Sequence, residues 1–220
     1  MATRAMHTPH LSRAQILLDQ ARYDLAAQEL GQVIAASPDN AHAFALLARC
    51  QSHLKMPQQA LKSARHAIHL APDYPYSHYM LAYVLDRQKA YLLAEKAVLD
   101  AVRISPENVS YFALLSQVRV HRGNWKGAVE AAENGLRLNA LNATCAGMRA
   151  FALIKLGRAE EASEAITRSL ANHPESAFTH TVRGWIYLET RKPTEARFHS
   201  ARRFESVRMI HGLVAVFSQP

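Results

Sequence analysis

An all-α chain of paired helices repeated every 34 residues is what this sequence predicts, and three observations carry the prediction. Alanines stand at Ala26, Ala60, Ala94, Ala128, Ala162 and Ala196, each 34 residues after the last. Prolines at Pro38, Pro72, Pro106 and Pro174 keep that period, twelve residues behind an alanine; Ala140 and Arg208 fill the two slots that miss. The composition is rich in Ala, Leu, Gln, Glu, Lys and Arg, all good helix formers. One coincidence of alanines means nothing. Two residue types locked in register mean internal repetition.

The first unit spans residues 7–40. Its second helix carries Tyr23, Ala26, Leu30 and Val33, and it closes on Ser37-Pro38-Asp39-Asn40. The second unit, 41–74, turns Phe44, Leu47 and Ala48 inward, and Pro57 opens its second helix. The third, 75–108, shows the pattern most clearly. A helix from Pro75 to about Gln88 uses the proline where its missing N–H costs nothing. Leu81, Ala82 and Leu85 recur at three- and four-residue steps as its packing face. The turn falls near Lys89-Ala90, and a second helix runs from Tyr91 to about Ile104 with Tyr91, Ala94, Val98 and Ala101 apolar. Ser105-Pro106-Glu107-Asn108 ends it, because proline cannot continue a helix and disfavours one in the residue before.

The fourth unit, 109–142, turns at Gly123 and puts Trp125 in the slot of Tyr23 and Tyr91. The fifth, 143–176, turns at Gly157. The sixth, 177–208, carries Gly184, Tyr187 and Ala196, and Pro193 opens its second helix. No linker separates the units, so residues 7–208 are expected to form one array between a flexible N-terminus (1–6) and a C-terminal tail (209–220). After Ala196 the pattern fails: Arg203 and Arg208 replace the small residue and the proline, and Met209 to Phe217 is a short apolar run. A polar cap, which a solenoid needs at its end, is the first reading of this stretch; a contact surface or a continuation of the array are the others.

Composition narrows the function classes. The chain is 49% apolar with only 8 glycines and 9 prolines, enough for a core and too little for disorder. No apolar stretch approaches the roughly 20 residues that span a bilayer, and Met1 to Gln15 lacks the apolar core of a secretory signal. Cys50 and Cys145 sit in different units without metal or redox spacing, which fits a reducing cytoplasm. The net charge of +8 suggests nucleic acid until it is mapped. Residues 191–220 hold six Lys/Arg against two Asp/Glu, half of the total, and no basic stripe of the kind a phosphate backbone demands runs through the rest.

Helices of one unit and the next approach closely only where side chains are small. Positions 8 and 20 of each unit are small throughout, the former as Ala14, Ala48, Ala82, Ser116, Ala150 and Gly184. Position 27 is less regular, as Val33, Ala67, Ala101, Gly135, Ser169 and Arg203. A 34-residue helix–turn–helix with small residues at 8, 20 and 27, aromatics near 4, 11 and 17, and proline at 32 resembles the tetratricopeptide repeat. The resemblance covers almost the whole chain; the pentatricopeptide repeat, with period 35, fits worse. It implies a right-handed α–α superhelical solenoid of about six repeats.

Chemistry is not written in the sequence. There is no His-Glu-x-x-His, no Gly-rich phosphate loop and no nucleophile elbow. His66 and His69 share a helix without a carboxylate or thiolate partner and are expected to face solvent. Asn108-Val109-Ser110 and Asn142-Ala143-Thr144 match the glycosylation triplet but are expected to be turn residues. No catalytic residue, metal or cofactor is expected, and the chain is not expected to be an enzyme.

The resemblance implies instead a concave groove, lined in that family by positions 2, 5, 6, 9, 12 and 13 of each first helix, that holds an extended peptide or a partner's helix. Carried over, those positions are His42, Arg49 and His53 in the second unit and Tyr76, Tyr79, Met80, Tyr83, Asp86 and Arg87 in the third. Gln117 and His121 follow in the fourth, Met148, Phe151 and Lys155 in the fifth, and Phe178, Trp185 and Glu189 in the sixth. Tyrosine, tryptophan and arginine are the usual anchors of interfaces, offering large area and a polar handle. For Phe151 and Trp185, packing against the neighbouring unit competes with that reading. The carboxylate clamp of chaperone-tail binders, Lys and Asn at positions 5 and 9 followed by further Asn, Lys and Arg in the next units, is absent, since the corresponding slots hold Leu11, Gln15, Leu46, Tyr76 and Met80. The expected partner is therefore another protein, with nucleic acid disfavoured. The alternative is an adaptor that meets anionic lipid or nucleic acid through the basic stretch from Arg191 to Arg208.

Overall fold

The computed structural model describes residues 7–172, 174 and 177–189, with the side chains of residues 7, 8, 177, 178, 185, 188 and 189 outside the description. Among the described residues every regular element is an α-helix. In chain order these are α1 (His7–Asp19), α2 (Tyr23–Ala36), α3 (Ala41–His53), α4 (Pro57–Leu70), α5 (Pro75–Arg87) and α6 (Tyr91–Ile104). They continue as α7 (Val109–His121), α8 (Trp125–Leu138), α9 (Ala143–Lys155), α10 (Ala159–Asn172) and α11 (Ala177–Glu189). The third unit's helices, expected at 75–88 and 91–104, are Pro75–Arg87 and Tyr91–Ile104, and the described helices recur at the 34-residue spacing. The second helix of the sixth unit, with Pro193 and Ala196, and the tail from Met209 lie outside the described residues.

The turn inside each hairpin has one construction. Ala21, Lys55, Lys89, Gly123 and Gly157, spaced by 34 residues, all adopt left-handed backbone, with φ of 57°, 60°, 61°, 79° and 76°. The next residue's N–H then reaches back five positions: Arg22 to Leu17, Met56 to Gln51, Ala90 to Leu85, Asn124 to Arg119 and Arg158 to Leu153, at 2.8–2.9 Å. This closure satisfies carbonyls that the end of a helix would otherwise leave open. Glycine takes that conformation freely; the alanine and the two lysines take it at a cost.

Entry to each first helix follows a second rule. Asn40, Asn108 and Asn142 accept from the N–H groups of Ala43, Ser110 and Cys145 at 2.9, 3.0 and 2.9 Å. The two glycosylation-like triplets are thus helix caps, as expected for turn residues. In the third repeat the slot holds Tyr74, which makes no such bond; Pro75, at the first helical position, has no N–H to satisfy.

The chain divides into two compact units, Met1–Pro106 and Glu107–Pro220, parted where the third repeat meets the fourth. In the first, Ala14, Ala26, Val33, Ala48, Ala60, Ala67, Ala82, Ala94 and Ala101 are fully buried, so the periodic small residues are the contact points of the helices. In the second, Ser116, Ala128, Ala150 and Ala162 do the same work. Gly135 marks the closest approach: a β-carbon there would lie 2.5 Å from the Cys145 sulfur and 3.2 Å from Phe112 Cβ. Within the units first helices pack side by side, α3 on α5, α7 on α9 and α9 on α11. No second helix packs comparably on the next, so grooves remain between them, over the first helix beneath.

Candidate functional site

In the first unit the first-helix face is a lattice of tyrosine, histidine and arginine. His42, Arg49 and His53 lie on α3 and Tyr76, Tyr79, Tyr83 and Arg87 on α5, because both helices put the same repeat positions on the same side. The Tyr83 hydroxyl and His53 Nε2 share a hydrogen bond of 2.8 Å, and the Tyr74 hydroxyl and His42 Nδ1 one of 2.9 Å. On its other side His53 stacks on Tyr23, ring centres 3.8 Å apart and planes 6° from parallel. Tyr76 contacts His42 at 5.4 Å and Tyr79 at 5.8 Å between centres. The Arg87 guanidinium lies 5.8 Å over the Tyr83 ring.

This environment sets the protonation of the lattice. Burial, with the Arg87 and Arg49 charges adding to it, holds His53 at about 4, and burial lowers His42 too. Burial raises Tyr76 to about 12 and also raises Tyr74 and Tyr83. Burial thus favours the neutral forms of His42, His53, Tyr74, Tyr76 and Tyr83. All the lattice side chains except exposed Arg87 are half-buried, which leaves each an edge toward solvent.

Four of the expected groove residues, Met80, Asp86, Met148 and Phe151, are corrected by their placement. Met80 is 3% exposed and packs with Ala45 and Ala67 under the tyrosines. Met148 and Phe151, 2% and 4% exposed, belong to the core of the second unit, Phe151 edge-on to Trp125 at 6.0 Å. Met80 and Met148 share one repeat position, whereas Phe151 stands where Arg49 and Tyr83 stand and is covered by its neighbours. Asp86 is buried as well. Lys155 is exposed with its ammonium 5.6 Å over the Phe151 ring, and Gln117 and His121 are half-buried on α7. The side chains of Trp185, Phe178 and Glu189 lie outside the described residues, as does the basic stretch Arg191 to Arg208.

Two members of the lattice escaped the repeat-position rule. Tyr23 starts a second helix, and Tyr74 occupies a capping slot; both reach α3 from outside the groove positions. The signal for Tyr74 was its standing where Asn40, Asn108 and Asn142 stand elsewhere.

Paired helices in 34-residue register, with small residues at the contacts, define a helical-repeat scaffold. Models of the tetratricopeptide repeat match residues 17–62, 54–109 and 148–205, more than half of the chain, and the protein belongs to that family. Repeats of this kind are in general non-catalytic and bind other proteins. A search of curated proteins found no match.

Solved structures share the fold. One, from a functional characterization of Pseudomonas aeruginosa pilF, is 18% identical with a TM-score of 0.77, covering 95% of each chain. A thermophilic TPR protein of Thermus thermophilus, TTC0263, is 19% identical with a TM-score of 0.70, covering 84% of this chain and 98% of its own. YrrB is 18% identical with a TM-score of 0.59, over 84% and 95%. Among the described residues no helix is long and apolar enough to cross a membrane.

Proposed function

We propose that the protein is a non-catalytic scaffold, and that it holds a peptide or partner helix on the first-helix face of its first unit. The observation that carries this is the lattice itself: Tyr76, Tyr79, Tyr83, Arg49 and Arg87 on two adjacent helices, with Tyr74 and Tyr23 beside them, all half-buried except exposed Arg87. Such rings offer contact area at small entropic cost, and the hydroxyls and guanidiniums fix orientation. With Arg49 and Arg87 as its charges, the face suits a segment that pairs an apolar or aromatic side chain with a carboxylate. YrrB, of like fold, is described as having an unusual peptide-binding site, which makes peptide capture a familiar use of this architecture. A cytoplasmic setting accords with two buried free cysteines, Cys50 and Cys145.

The test uses a phage-displayed library of random peptides panned on the full chain. Tyr79→Ala with Arg87→Ala removes one ring and one exposed cation while leaving the Tyr83–His53 and Tyr74–His42 bonds in place. Enriched peptides should bind this variant at least about tenfold more weakly, equivalent to about 1.4 kcal/mol. Equal binding to both proteins would sink the assignment.

A further inference from the structure

The second unit carries a groove on its other side that no repeat position announces. It lies between α8 and α10 over α9, has a volume of about 450 Å3, and its lining includes Arg137, Arg149 and Arg168. That size falls within the range of ligand clefts, about 300–1,000 Å3. We propose that this cleft is a second protein-binding site, for a partner peptide in which a glutamate or aspartate stands beside a leucine-like side chain.

Charge is the first argument. Three guanidiniums face one carboxylate, Glu133, which takes only the Nε of Arg149, at 2.9 Å. Arg137 donates to the neutral Asn134, and among the described residues no carboxylate pairs with Arg137 or Arg168. Guanidiniums crowded without counter-charge are relieved by a carboxylate, which they can hold through two parallel hydrogen bonds.

The second argument is an orphaned polar group. Ser169, 7% exposed, is part of the same lining, and its buried hydroxyl has no hydrogen-bond partner. A buried hydroxyl left so costs free energy that a peptide N–H or C=O would recover.

The third is the apolar remainder. Leu136 and Leu141 line the cleft, and Leu141 is 53% exposed, so a bound leucine would cover surface now in water. No aromatic side chain lines it, so it lacks the stacking platform that single-stranded nucleic acid requires, and three cations in a short cleft are not a stripe along a phosphate backbone.

The first unit supplies an internal control. Two repeats earlier, the matching groove between α4 and α6 is about 250 Å3; it has Arg65 and Lys96 in its lining, but Leu81 and the carboxylate of Asp100 where Arg149 and Arg168 stand, so the cluster of three arginines is not repeated. That cluster is thus a property of this sequence and not of the fold.

The experiment is an NMR titration of the full-length protein with two synthetic peptides, acetyl-Ala-Leu-Glu-Leu-Ala-amide and its glutamine counterpart. The glutamate peptide should shift the amides around Arg149, Arg168 and Ser169, with the glutamine peptide at least tenfold weaker. Arg168→Gln, and independently Arg137→Gln, should weaken the glutamate peptide several-fold, while the spectrum of the free protein stays folded. No shift at millimolar peptide, equal shifts from both peptides, or shifts confined to Tyr76–Arg87 would each overturn the proposal. The last outcome would leave the first-helix face standing alone; failure at Tyr79 and Arg87 in the phage experiment would leave this cleft untouched.

Discussion

The two units are built on one plan and spend it differently. In the first, hairpin turns are closed by Ala21, Lys55 and Lys89 in left-handed backbone; in the second, by Gly123 and Gly157. The first gathers Tyr23, Tyr74, Tyr76 and Tyr83 around two histidines on its first-helix face. The second buries Phe151, which stands where Tyr83 stands in the first, and places Arg137, Arg149 and Arg168 in the groove between its second helices. What the plan fixes is where small residues must be. The large residues between them are free to become either core or surface, and that freedom is where two copies of one repeat come to differ.

The strongest test of this difference is to overfill the second unit. Gly135→Val drives a branched side chain against Cys145 and Phe112 and is expected to cost about 3 kcal/mol, the upper end for overpacking. Hydrogen exchange should quicken across α7–α10 and leave α1–α6 unchanged. If both respond alike, the units open as one body and should not be contrasted as separate ones.

Acid should act on the other unit. His53 is held at about 4, below the ordinary 6.5, so the folded state favours its neutral form. The stability tied to that form is complete above pH 6.5, declines as pH falls toward 4, and levels off below. The loss is expected to be on the order of 2 kcal/mol. It should appear in the near-ultraviolet dichroism of the tyrosines and be largely absent in His53→Gln. Both tryptophans, Trp125 and Trp185, belong to the second unit, so their fluorescence should hold steady over the same range.

The smallest effect lies in the turns. Lys89→Gly relieves a left-handed lysine and is expected to stabilise by about 1 kcal/mol or less, since glycine also gives the unfolded chain more freedom. Gly123→Lys should lose at least as much. Denaturant midpoints measure both, and equal signs would show that the turn residues do not distinguish the units.

The helices were legible because periodicity records packing distance. Alanines and prolines in 34-residue register mark where the described helices recur, and the glycines at 123 and 157 mark turns whose geometry Ala21, Lys55 and Lys89 then share. The face was legible only in part. His42, Arg49, His53, Tyr76, Tyr79, Tyr83 and Arg87 do share one side, since repeat position dictates direction. Met80, Met148 and Phe151 stand at similar positions and are covered. Direction is a property of one helix, whereas burial depends on how near its neighbour lies. The cleft of Arg137, Arg149 and Arg168 could not be read at all, because it draws on three helices and no fixed spacing joins them.

Cys50 and Cys145 lie one in each unit, both fully covered, with burial raising their thiols to about 11 and about 12. A thiol so held is neither reachable nor ionised, and alkylating reagents act on the thiolate. Each cysteine therefore reacts only when its own helices part. The chain carries two clocks, one per unit, and the rate at which an added reagent consumes each thiol measures how often the helices around it part.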